Sequence, residues 1–166
     1  MLSFLILVVP ALIGLAIYFT KRISELGEQN ITRQILWRIK PGVTTSENFK
    51  MNMNKIGGNI ILDAEETVIT KFSLKENPYE KLTGWFHKNK LAIMRIDING
   101  EHEKIYKAVA FQYGEADVNQ RSSCWNIENQ SEWYRNNLSI YLEKIEDYSS
   151  LVIVDHEINH QRSLAQ

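Results

Sequence analysis

Residues 83–98, "TGWFHKNKLAIMRIDI", set two apolar runs on either side of a polar centre. Ala92, Met94, Ile96 and Ile98 alternate with Leu91, Ile93, Arg95 and Asp97, so every second side chain falls on one side of a strand. The polar "HKNK" of His87–Lys90 interrupts the apolar pattern where a tight turn is needed, which makes the whole stretch a β-hairpin.

Upstream, "NIILDAEETVITKFSL" holds two β-branched runs, Ile60–Leu62 and Thr67–Phe72. Before them, in "TTSENFKMNMNKIGG", Thr44 and Glu47 form a capping-box pattern, and Phe49, Met53 and Ile56 make a helical stripe. Gly57-Gly58 stops that helix, and Met51 and Met53 read as packing residues rather than a soft metal site. "NITRQILWRIK" places Ile31, Ile35, Leu36 and Ile39 at helical spacing after Asn30 as cap, and ends at Pro41-Gly42. Downstream, "EHEKIYKAVAFQYG" is an amphipathic helix with Ile105, Ala108, Val109 and Tyr113 inward and Gly114 as stop. "SSCWNI", "NNLSIYLEKI" and "LVIVDHEI" read as strands, joined by the polar loops "ENQSEWYRNN" and "EDYSS". The expected soluble fold is α+β, an antiparallel sheet packed by two helices, with α-β-β-β repeated over about 44–98 and 102–158.

"MLSFLILVVPALIGLAIYFT", residues 1–20, carries no charged side chain and has the length a helix needs to cross a bilayer. It lacks the basic start, short apolar core and small-residue site of a cleaved signal, so it reads as a transmembrane anchor. The expected organisation is an anchor over 1–22, a juxtamembrane helix or linker over 23–40, an α+β domain over 41–160 and a tail over 161–166. Lys21, Arg22, Arg33, Arg38 and Lys40 follow the span, and the positive-inside rule then puts the domain in the cytoplasm. Residues 1–60 carry seven Lys/Arg against three Asp/Glu, whereas the remainder carries twelve against seventeen. A basic end beneath an acidic domain suits an anionic leaflet, with Lys21, Arg22, Trp37 and Arg38 as interface residues. The 44% hydrophobic content and net charge of −1 exclude a disordered tail and a nucleic-acid binder. The single cysteine, Cys124, excludes an internal disulfide framework.

"HEINH", His156–His160, spells the H-E-x-x-H pattern of zinc peptidases, with His156 and His160 as ligands and Glu157 as base. The pattern continues "LVIVD", however, and in a strand the two rings would stand about 13 Å apart, too far for one ion. The expectation is a strand over 151–158 and no metal, cofactor or catalytic residue, with the zinc site as the alternative. "DINGEHE" lacks the alternating pattern of a calcium loop and reads as a solvated turn. Trp133-Tyr134, in a polar loop, is the expected contact surface for a protein partner.

The Gly42-Val43-Thr44-Thr45 turn into a helix ending at Gly57 resembles the opening of BamE/SmpA-like bacterial envelope domains. "YKAVAFQYGEAD", "CWNI", "LSIYLEKI" and "LVIVDHE" are similar to the ending of many small bacterial envelope proteins. Glu115-Ala116 stands where such domains usually have a proline, and their lipid-attachment cysteine is absent. The resemblance implies a non-enzymatic binding or assembly module, and a periplasmic domain where the charge rule implies a cytoplasmic one. The expected function is therefore a single-pass, inner-membrane binding, assembly or regulatory module, touching the lipid bilayer and a protein partner. A membrane-tethered zinc hydrolase and an immunity- or exclusion-type protein are the alternatives.

Overall fold

The computed structural model describes residues 35–72, 79–99, 102–120, 127–145 and 148–164. The expected anchor over 1–22, with Lys21 and Arg22, lies outside the described residues, as do Cys124 and Trp125. Among the described residues three helices, α1 (Ser46–Lys55), α2 (His102–Tyr113) and α3 (His156–Ser163), accompany eight strands. These are β1 (Asn59–Ala64), β2 (Thr67–Lys71), β3 (Tyr79–His87), β4 (Lys90–Asn99), β5 (Val118–Gln120), β6 (Ile127–Arg135), β7 (Leu138–Ile145) and β8 (Tyr148–Asp155). A further helical turn covers residues 35–38. The fold is α+β, with one antiparallel sheet in the order β1-β2-β3-β4-β8-β7-β6-β5.

The decisive hairpin is β3–β4. Lys88 and Asn89 both take positive φ, 45° and 63°, which matches the twist of the flanking strands in a two-residue connection. Each half of the chain is a helix followed by a four-stranded meander, which corrects the α-β-β-β repeat to α-β-β-β-β. The second half gains a strand from "ENQSEWYRNN": residues read as a loop for their polarity form most of β6, leaving Asn136-Asn137 as the turn. The two meanders meet where β4 pairs with β8, antiparallel, from Ile93↔Val154 to Asn99↔Tyr148.

One side of this sheet carries the core. Met94, Ile96 and Ile98 of β4 join Leu151 and Ile153 of β8 and Ile140 and Leu142 of β7, and α1 and α2 cover them with Phe49, Met53, Ile105 and Val109. Gly84 lets α1 sit close: a Cβ there would lie 3.0–3.1 Å from Phe86, Leu91 and Phe49. The rings of Phe49 and Phe86 then meet edge to face at 5.5 Å.

Residues 35–39 belong to the same packed unit. Ile35, Leu36 and Ile39 are buried in the core, so a boundary at residue 40 cuts through it. The α1 cap also shifts by one residue. Thr45, not Thr44, accepts the Asn48 N–H, while the Thr44 hydroxyl accepts from Lys40 N at 2.7 Å. Gly42 N and Leu91 N bond across the same gap, to Leu91 O and Thr44 O, which ties the start of α1 to the decisive hairpin.

Candidate functional site

The strand expected over 151–158 stops at Asp155, and HEINH opens α3. The reason is local. Leu138, the first residue of β7, pairs with Asp155, so β7 offers no partner beyond it. The Asp155 carboxylate then accepts the Ile158 N–H at 3.0 Å and caps a helix. His156 and His160 therefore share a helical face, one turn apart. His156 is already engaged: its Nε2 lies 2.6 Å from the Ser139 Oγ, and that serine is buried. Glu157 faces Asn137 at 3.5 Å rather than standing over the histidines. Among the described residues no group of three or more His, Cys, Asp or Glu is placed to hold an ion. At the far end of α3, Arg162 Nε and the buried His87 Nδ1 flank the Glu66 carboxylate at 3.9 and 4.0 Å.

Trp133-Tyr134 lies in β6, and this corrects the expected exposed loop pair. Trp133 is 0% exposed, donates Nε1–H to Gly114 O at 2.8 Å, and packs on Tyr106 at 5.5 Å. Tyr134, on the other side of the strand, is 50% exposed. Its hydroxyl donates to the Glu132 carboxylate, and that bond pushes its pKa up to about 12. Its N–H donates to Asp117, the main cause holding that carboxyl below its usual range, with Arg135 as the second partner. Arg135 also donates to Tyr113 O and Glu115 O, which clamps the end of α2 onto β6.

Tyr134 belongs to a larger surface. Directly opposed residues in an antiparallel pair share a face. One such row runs Leu62, Ile69, Thr83, Arg95, Val152, Tyr141, Glu132, Val118 across all eight strands. The next runs Thr67, Trp85, Ile93, Val154, Ser139, Tyr134. Both rows lie on the side away from α1 and α2, and α3 packs there against β3, β4 and β8, with His156 reaching Ser139 of β7. Trp85, Ile93, Val152, Val154 and Tyr141 are half-buried. Arg95 donates to Asp97 at 2.8 Å, a bond that raises its pKa, and so sits among these groups as a neutralised pair.

A second feature went unread in the sequence, because its groups come from three separate elements. A polar cleft of about 390 Å³ beside α2 is lined by His102, Tyr106, Asn119, Asn129, Gln130 and Ser131. The His102 Nδ1 stands 3.2 Å from Ser149 Oγ, and burial, then Lys144, lowers its pKa. Tyr106 donates to Glu115 at 2.8 Å. Of the expected interface residues, Trp37 and Arg38 are exposed, whereas their neighbours Ile35, Leu36 and Ile39 face the core. Met51 and Met53 point to opposite sides of α1, one exposed and one buried, and so do not converge on a metal. Among the described residues no helix is long and apolar enough to cross a membrane. The chain matches no protein-family model, no curated protein and no solved structure.

Proposed function

We propose that the chain is a membrane-anchored, non-enzymatic binding module of the bacterial envelope that offers the open face of its sheet to a protein partner. The observation that carries this reading is the uneven covering of one sheet. Helices α1 and α2 seal one face, while the other, with α3 over part of it, keeps Trp85, Ile93, Val152, Tyr141 and Tyr134 part-exposed across paired strands. A solvated sheet face ordinarily alternates to polar residues, and aromatic and β-branched side chains there favour a contact surface. The uncharged run of residues 1–20 supplies the anchor, and the basic residues after it favour the cytoplasmic side of the inner membrane. The BamE/SmpA-like resemblance favours the same class of role but the opposite side, and a topology reporter fused after Gln166 decides between them.

The test is site-specific photo-crosslinking in the cells that make the protein. A crosslinking residue at Ile69 or Tyr141 is expected to capture another polypeptide, and the same residue at Lys55 is not. Equal absence of adducts at all three positions overturns the reading. The helical spacing of His156 and His160 is the observation favouring the zinc-hydrolase alternative, and metal content tests it.

A further inference from the structure

We infer that the outer surface of the helix layer lies flat on an anionic bilayer; this rests on the anchoring proposed above and names the contact that anchoring brings about. Residues two apart on a helix are turned by about 200°, so Met51, between the buried Phe49 and Met53, points away from the sheet and is 48% exposed. In the same way Trp37 stands opposite Ile35, Leu36 and Ile39, at 71% exposure, and Phe111, turned by about 200° from the buried Val109, is 70% exposed. Residues 35–39 pack beside α1, α1 on β1 and β2, and α2 on β6 and β8, all on one face of one sheet, so their outward sides look the same way from it.

The charge of these segments is the second observation. Residues 35–56 and 102–113 carry six Lys/Arg and two Asp/Glu, in a chain whose net charge is −1. Lys50 is paired with Asp63 and Lys107 with Glu103, while Arg38, Lys40 and Lys55 are exposed. Large apolar side chains set among lysine and arginine suit the headgroup level of an anionic membrane. Distance is the third. Only residues 21–34 separate the apolar run from the helical turn at residue 35. Even fully extended they span no more than about 50 Å, so the domain meets the bilayer at high effective concentration and a weak surface suffices. The open sheet face then points away from the lipid, toward a partner.

The test uses the full chain in nanodiscs with and without phosphatidylglycerol. A fluorophore is placed by Met51→Cys, Phe111→Cys or, on the far face, Leu62→Cys, each with Cys124→Ser. Lipid-borne quencher is expected to reach the labels at 51 and 111, and aqueous iodide the label at 62. Lipid quenching should fall on the order of tenfold with Lys40→Glu plus Lys55→Glu. Quenching of the unlabelled chain by brominated lipid, lost on Trp37→Phe, gives the same result without cysteine substitution. Labels at 51 and 111 that iodide reaches as freely as at 62, in discs that hold the chain, overturn this surface and leave the anchor standing. Labels shielded from both quenchers mean that protein covers the face, which also overturns it. A chain that never enters the discs overturns anchor and surface together.

Discussion

Gly84 shows how much a single residue carries in this fold. The missing Cβ lets the Phe49 ring of α1 reach the β3–β4 hairpin, where any Cβ would sit 3.0–3.1 Å from three side chains. Gly84→Ala therefore overpacks the core and should cost about 1–3 kcal/mol, read as a lower urea midpoint at unchanged slope. His102 acts through charge rather than volume. Burial lowers its folded pKa below the unfolded value, so the unfolded chain binds the proton more readily. Its contribution is then complete above the unfolded pKa and is lost as the pH falls through the folded one. Stability should decline on acidification below about pH 6.5, and His102→Gln should flatten that slope; an unchanged pH profile would remove His102 from the account. Trp133 marks the limit of reading residues singly. Its neighbours Glu132 and Tyr134 are polar, so the run looked solvated, yet the strand period turns Trp133 inward and both neighbours outward.

At the scale of the element, the alternating strands were legible because every second position is apolar over a long run, as in β4, where Ala92, Met94, Ile96 and Ile98 are all buried. Ends were less legible, because an end depends on what lies opposite. Nothing in "LVIVDHEINH" says that β7 begins level with Asp155; the available signal was an Asp followed by a Glu in the next turn, a helix-start pattern. Asp155→Ala should remove the α3 cap and cost about 1–2 kcal/mol, seen as a drop in melting temperature with β8 still paired to β4. The helix also reopens the question of zinc, since its spacing suits two ligands. With His156 held by Ser139, the protein is expected to carry no stoichiometric zinc and to melt at one temperature with or without a chelator. One equivalent of zinc, lost on His160→Ala, would restore the hydrolase reading, because a metal bound to the folded state alone stabilises it by mass action.

The whole molecule is held together at one seam. The α-β-β-β-β halves share a plan, and the β4–β8 pairing runs their two meanders into a single sheet. The seam's inward residues, Met94 and Ile96 facing Ile153 and Leu151, lie in the shared core cluster, so neither half encloses its own interior. A half of about 65 residues is marginal in any case. Full-length protein should therefore unfold in one step, with Trp133 fluorescence in one half and a probe on α1 in the other giving the same urea curve. Cutting the chain before His102 exposes the β8 edge along with Leu151 and Ile153. An unpaired apolar edge pairs with whatever strand is at hand. Since β8 meets β4 antiparallel, a second β8 can stand in β4's place about a two-fold axis, the self-complementary geometry of a closed dimer. Residues 102–166 alone should thus form a β8-to-β8 dimer or remain unfolded, which light scattering beside circular dichroism distinguishes. A folded, cooperatively melting monomer of that half would show that the seam joins two independent domains rather than completing one core.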